Sequence, residues 1–252
     1  MSAIYSDLAG KVVLVTGGAS GIGEAIVRRF AQQRSVVVFF DIKGEEGKRL
    51  ARELSEEGLA SHFLNVDLTD IEALRAGVSE AREAHGPINI LVNNAAHDER
   101  HSTEEMTPEY WDERIAVNLK HSFFAAQAVL PDMKAAKAGA IINFSSISWM
   151  AGQGGMAAYT ASKSGMLGLT RSLARDYGPF NIRVNAIAPG WIMTRRQIEK
   201  WLTPQGEEEL MRRQCLKRKL VPDEIAKFTV FLASDEASAC TSQHYVVDGG
   251  WV

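Results

Sequence analysis

Apolar positions along the chain follow two alternating patterns. Short runs that read as strands recur at residues 11–16 (KVVLVT), 36–40, 61–65, 88–92, 140–144, 183–188 and 245–247. Most are continuously apolar rather than alternating, as a strand covered on both faces requires. Between them lie amphipathic stretches of helical period at residues 21–33, 45–57, 71–85 and 159–177. Another runs from Pro108, suited to a first helical turn, through Asn118 toward Met133. Strand, helix, strand repeated this often implies right-handed crossovers. The pattern predicts a single α/β Rossmann-type, doubly wound domain over residues 1–252. Its sheet has seven mostly parallel strands with helices on both faces. Residues 194–222 differ: they are charged, carry Trp201 and follow the Pro189–Gly190 break. They read as a helical insertion after the sixth strand, placed to act as a substrate lid.

Composition removes several alternatives. With 46% hydrophobic and 23% charged residues, the 252-residue chain is an ordinary globular one. A net charge of -3 supplies no basic excess for nucleic acid and no polybasic block for a membrane surface. No stretch approaches the roughly 18 apolar residues a membrane span needs, and the first ten residues lack a secretory pattern. Cys215 and Cys240 are too few for a disulfide framework or a four-thiolate zinc site. A cytoplasmic protein fits this usage.

Candidate chemistry begins at residues 16–23, T-G-G-A-S-G-I-G, directly after a strand and directly before a helix. Glycines at 17, 21 and 23 let a pyrophosphate approach a helix N-terminus without an intervening Cβ. The second strand ends at Asp41, placed to accept hydrogen bonds from an adenosine ribose diol and to repel a 2′-phosphate. That favours NAD over NADP, although Lys43 lies close by. Tyr159 and Lys163 are four apart in a helical stretch and so share one face. An ammonium beside a phenol favours the phenolate, making Tyr159 a usable general base. Ser146, at the carboxyl end of the fifth strand, can polarise a substrate oxygen; its neighbour Ser145 reads as a strand-end cap.

Segments after strands four, five and six offer Ala96, His97, Asp98, Ser148, Trp149, Gln153, Trp191 and Met193 to a substrate. The polar groups suit sugar hydroxyls, and the tryptophans suit either a sugar ring or simple packing. Arg195 and Arg196 would either bind a carboxylate, which would make the substrate a sugar acid, or pair with Glu199 or Glu207. His97 and His101 are four apart, but their charged loop context argues against a metal, and none is expected.

Together these motifs resemble the short-chain dehydrogenase/reductase family over essentially the whole chain: T-G-G-A-S-G-I-G, N-N-A-A at 93–96, Asn118, Ser146, Y-T-A-S-K at 159–163 and P-G at 189–190. The resemblance implies a catalytic tetrad of Asn118, Ser146, Tyr159 and Lys163, with Asn118 holding a water in a proton relay. It implies cofactor contacts at Gly17, Ser20, Gly21, Ile22, Gly23, Asp41, Asn93, Ala95, Tyr159, Lys163, Pro189 and Gly190. Asp67 and Leu68 match adenine positions, and Ile192 and Thr194 match carboxamide positions. Ser20 stands where NADP users of the family often carry a base, and Ala96 replaces a usual glycine. Residues 97–101, 110–114, 147–149, 196–214 and 215–217 are similar to the aldose 1-dehydrogenase branch of the D-xylose type. The resemblance implies a homotetramer that uses NAD to oxidise a sugar hydroxyl, aldose C1 to lactone first. The alternatives are a dehydrogenase of a keto-deoxy sugar acid or another secondary alcohol, and a non-catalytic NAD-binding regulatory protein.

Overall fold

The computed structural model describes residues 3–252, so Met1 and Ser2 of the expected domain lie outside the described residues. Seven strands form one sheet: β1 (Val12–Thr16), β2 (Val36–Asp41), β3 (Ser61–Asn65), β4 (Ile90–Asn93), β5 (Gly139–Phe144), β6 (Ile182–Pro189) and β7 (His244–Val247). Their order is β3-β2-β1-β4-β5-β6-β7, and every pairing is parallel rather than most of them. The chain steps outward from β1 on one side and from β4 on the other. A crevice at such a reversal, beyond the carboxyl ends of the strands, is where doubly wound sheets take ligands.

Helices α1 (Gly21–Gln32), α2 (Gly44–Glu56) and α9 (Pro222–Ala233) cover one face. There Ile26, Phe30, Leu50 and Ile225 pack on Val13, Val37 and Phe39. Helices α3 (Ile71–His85), α5 (His121–Ala136) and α6 (Ala157–Tyr177) cover the other, packing Leu74, Val129 and Leu173 on Leu14, Val38 and Ile141. Asp70 caps α3 by accepting from the amides of Glu72 and Ala73, both at 3.0 Å. Pro108 opens α4 (Pro108–Ile115), with Thr107 as its cap. The expected continuous helix through Asn118 is interrupted by a π-helical turn at Ala116–Lys120 before α5 begins. The pattern also missed α9, whose start carries a proline and Glu224 closing onto the Val221 amide at 2.9 Å.

Residues 194–222 contain two short helices, α7 (Arg195–Lys200) and α8 (Pro204–Arg213), capped by Thr194 and Thr203. The insertion rejoins the sheet's carboxyl edge where Ile192 pairs with Leu220.

Candidate active site

The ends of β1, β4, β5 and β6 open onto one cleft of about 550 Å³. At the β1–α1 turn, Gly17 and Gly21 hold φ of +67° and +61°, a left-handed backbone that favours glycine. A Cβ on Gly23 would collide with the Gly17 carbonyl oxygen and lie 2.7 Å from the Asn94 amide nitrogen. Asn94 explains the crowding. Its side chain donates to the carbonyls of Thr16 and Gly17, both at 3.0 Å, and ties the turn to the end of β4.

Asp41, 9% exposed, accepts from the amides of Ala19 and Lys43 at 3.0 Å each. A carboxylate has about four acceptor sites, so two remain for a diol. The Lys43 ammonium donates to the Ser20 hydroxyl at 3.1 Å. An open α1 N-terminus, a turn that admits no Cβ and an acidic end to β2 fit a dinucleotide.

Helix α6 supplies the next group. Lys163 is 1% exposed, and its ammonium donates to the Phe144 carbonyl at 2.8 Å, 5.7 Å from the centre of the Tyr159 ring. Burial lowers its pKa to about 7, with the Asp98 charge opposing. The Tyr159 phenol is pushed above its ordinary value by burial and by Asp98; a hydrogen bond with Ser146 works the other way. That is opposite in sign to the expectation from the Tyr-x-x-x-Lys spacing alone. Burial and the Asp98 carboxylate outweigh the Ser146 hydrogen bond, so a lower value requires a cation against the ring. Ser145 anchors α6 to β5, donating to the Lys163 carbonyl at 2.6 Å.

Asn118 is fully buried within the π-helical turn, a motif frequent at functional sites. Its amide accepts from the His97 N–H at 2.8 Å and donates to the carbonyls of His97 and Arg114 at 3.1 and 2.9 Å. It therefore fixes the path of the chain after β4. The next residue after the turn, His121, is fully buried, and burial followed by Lys163 lowers its pKa to about 3. It stays neutral at physiological pH. Asp98 is held by the insertion, accepting from Arg196 Nε at 3.0 Å and from the Gln197 amide at 2.6 Å. Among the described residues, no group of His, Cys, Asp and Glu is arranged to hold a metal, and no helix is long and apolar enough to cross a membrane.

Comparison with known proteins agrees with this geometry. A family profile described as enoyl-(acyl carrier protein) reductase matches residues 17–252. D-xylose 1-dehydrogenase of Caulobacter vibrioides is 46% identical over 250 residues, 99% of each chain. A protein named "probable galactose dehydrogenase" in Rhizobium meliloti is 47% identical, covering 99% of this chain and 98% of its own. A solved double mutant of a Serratia marcescens short-chain dehydrogenase/reductase superposes with a TM-score of 0.89 at 32% identity, over 97% of this chain and 99% of that one. The chain belongs to the short-chain dehydrogenase/reductase family. It is an oxidoreductase of the alcohol-oxidising kind that works with a nicotinamide cofactor.

The fold brings together on the cleft wall Ile22, Asp98, Ser146, Ser148, Gln153, Tyr159, Lys163, Pro189, Gly190, Trp191, Ile192 and Thr194. Ala96, in place of the usual glycine, also lines it. Gly21 faces Thr194, whose methyl lies 3.2 Å from where a Cβ would be. Ala95 is buried beneath, its amide donating to Thr16 Oγ1 at 3.1 Å.

Other expected residues do not line this cleft. Asn93 points into the sheet and donates to Asn143 Oδ1 at 2.9 Å; side chains alternate along a strand, so Asn94 takes the cleft side. Asp67 is exposed and accepts from Thr69, while Leu68 is buried. The His97 imidazole hydrogen-bonds Arg114, away from the cleft wall. Trp149 donates to Ser145 Oγ at 3.3 Å, lies 6.2 Å from the His244 ring and faces a separate shallow depression. Arg195 projects into solvent, 90% exposed, and pairs with Glu199. Met193 is buried under the insertion.

Four residues that the sequence did not single out for the site also line the cleft: Arg100, then Glu209 and Arg213 of the insertion, and Trp251. The Arg100 guanidinium lies over the Trp201 ring at 4.7 Å, and a Gln153 amide turned with its oxygen toward it accepts from both terminal guanidinium nitrogens, at 3.0 and 3.2 Å. The segment 248–252, apolar at its end, reads from sequence as a contact with a partner subunit, which gives no signal for Trp251 in the cleft.

Proposed function

We propose that this protein uses NAD to oxidise the anomeric hydroxyl of an aldose to a lactone, with Tyr159 as general base. The observation that carries the reading is the meeting of Tyr159, Ser146 and Lys163 in a cleft that also holds indole rings and hydrogen-bonding side chains. The names of the xylose and galactose dehydrogenase relatives support the sugar. Asp41 at the end of β2 supports NAD.

The amides of Ser20 to Gly23 at the start of α1 would hold the pyrophosphate, Asp41 the adenosine ribose, and residues 189–194 the nicotinamide end. When bound, an oxidised nicotinamide supplies the hydride acceptor and a positive ring beside Tyr159. Ser146 orients the substrate hydroxyl through its own. Tyr159 takes the hydroxyl proton as a phenolate. Lys163, its ammonium 5.7 Å from the Tyr159 ring centre, supplies a positive charge beside that phenolate. Asn118 holds the π-helical turn and the chain after β4, and so the place of Asp98. The insertion at 194–222 closes over the substrate as a lid. A soluble cytoplasmic homotetramer completes the reading.

Arg100 favours a second reading. It lines the cleft and forms no ion pair with a carboxylate of this chain among the described residues. A guanidinium with no carboxylate partner there suits an anionic substituent, and hence a sugar acid as substrate.

The test is a panel of aldoses and sugar acids with NAD and with NADP, followed by reduced-nicotinamide absorbance, for wild type and Tyr159→Phe. Turnover of aldoses with NAD is expected, with loss of about 10²–10⁴-fold in the variant and dinucleotide affinity within about twofold of wild type. No turnover of any aldose would remove the first reading, and a variant at the wild-type rate would remove the role of Tyr159.

A further inference from the structure

We infer that Trp251, with Trp191 steeply inclined to it, forms an aromatic corner that receives the substrate as a closed pyranose ring. This deepens the sugar reading above and rests on it. Both indoles line the cleft that holds Tyr159. Their ring centres are 6.5 Å apart with planes inclined by 75°. Trp191 is fixed, its Nε1–H donating to Gln197 Oε1 at 2.9 Å.

Trp251 is held in place by the chain on either side of it. The chain before it turns through Gly249 and Gly250 at φ of +69° and +82°. Their carbonyls accept from the amides of Leu216 and Cys215 at 2.9 and 3.0 Å. A Cβ on Gly250 would lie 2.7 Å from the Cys215 Cβ, so the approach to the insertion needs glycine. Asp248 then accepts from the amides of Gly250 and Val252 at 2.7 and 2.9 Å, bracketing Trp251. The tail is thus built to present one ring.

That ring differs from Trp191 and Trp149 in one respect. Its Nε1–H is shielded from water and has no acceptor, whereas theirs are bonded to Gln197 and Ser145. A shielded, unpaired donor is unfavourable, and a small turn of the ring as the sugar enters would let a hydroxyl oxygen accept from it. An indole face is electron-rich and attracts the polarised C–H bonds that a pyranose gathers on one side of its ring. An open-chain sugar acid or polyol offers no such continuous face. The corner therefore selects ring-closed substrates, the form from which anomeric oxidation gives a lactone directly.

The probes are the ring analogue of the best aldose lacking the anomeric hydroxyl, which binds but cannot be oxidised, and the matching open-chain alditol. Inhibition constants for both are measured on wild type, Trp251→Phe and Trp251→Leu, beside dissociation constants for NADH. Wild type is expected to bind the ring analogue at least about tenfold more tightly than the alditol. Trp251→Leu should lose about tenfold for the ring analogue, equivalent to about 1.4 kcal/mol, and little for the alditol. Trp251→Phe, which keeps an aromatic face without the N–H, should fall between. NADH affinity within about twofold in all three shows that the site remains folded. An unchanged inhibition constant in Trp251→Leu overturns the corner while leaving the sugar reading intact. So does a shift in oligomeric state without a change in inhibition, which would make the tail a subunit contact. If wild type oxidises no aldose and binds no ring analogue, both readings fall.

Discussion

Lys163 carries the most quantitative consequence of the structure. Its ammonium sits at 1% exposure with one carbonyl, that of Phe144, as its hydrogen-bond partner. Burial takes its pKa from 10.5 to about 7. At roughly 1.4 kcal/mol per pH unit, the proton costs the folded state up to about 5 kcal/mol. The sign follows from proton counting. Between about pH 7 and 10.5 the unfolded chain keeps a proton that the folded chain releases, so stability rises with pH across that window and is flat below it. Lys163→Met removes the titration and keeps most of the side-chain volume. Urea unfolding of both proteins from pH 6 to pH 10, at one protein concentration, gives the difference in unfolding free energy. Titrating groups remote from Lys163 cancel in that difference, the neighbouring His121 contributes at most at the acid end of the range, and loss of the Phe144 hydrogen bond adds a constant. The methionine variant should be the more stable at pH 6 by several kcal/mol and lose that advantage by pH 10. It should also be inactive, since stability is traded for function at this position. A difference that does not change with pH would show that Lys163 is not a desolvated ammonium.

Three further outcomes follow from the same geometry. Asp98→Asn removes a negative charge that raises the Tyr159 pKa; the acidic limb of kcat/KM against pH should move to lower pH, and an unmoved limb would uncouple the two groups. Gly23→Ala places a methyl against the Gly17 carbonyl, so NADH affinity in a fluorescence titration should fall by at least about tenfold. Because alanine is the better helix former, a large drop in melting temperature there would mean the damage is global. Asp41→Ala leaves Lys43 and Ser20 facing a 2′-phosphate without an opposing carboxylate; the ratio of kcat/KM for NADP to that for NAD should rise about tenfold or more, and a constant ratio would place ribose selection elsewhere.

The sequence by itself determined the layered α/β fold, the glycine turn, the Tyr159–Lys163 spacing and the strand-end position of Ser146. These are local: period, turn chemistry and helical spacing are properties of a few neighbouring residues. Strand boundaries were legible to within two residues, because continuous apolar runs mark burial on both faces. The unrecognised α9 shows where that logic fails, since Pro222–Ala233 is a mostly apolar helix whose run resembles a buried strand.

What only the tertiary structure decided is the aim and environment of side chains. It turned Asn94 rather than Asn93 to the cleft, bound Trp149 to Ser145, sent Arg195 into solvent, and brought Arg100 and Trp251 into the cleft. It also reversed the expected sign at Tyr159, because burial and the charge of Asp98 depend on segments 61 residues apart in the chain. Spacing along one helix sets which groups are neighbours. Desolvation and long-range charge, which set their proton affinity, exist only once the chain has closed around them.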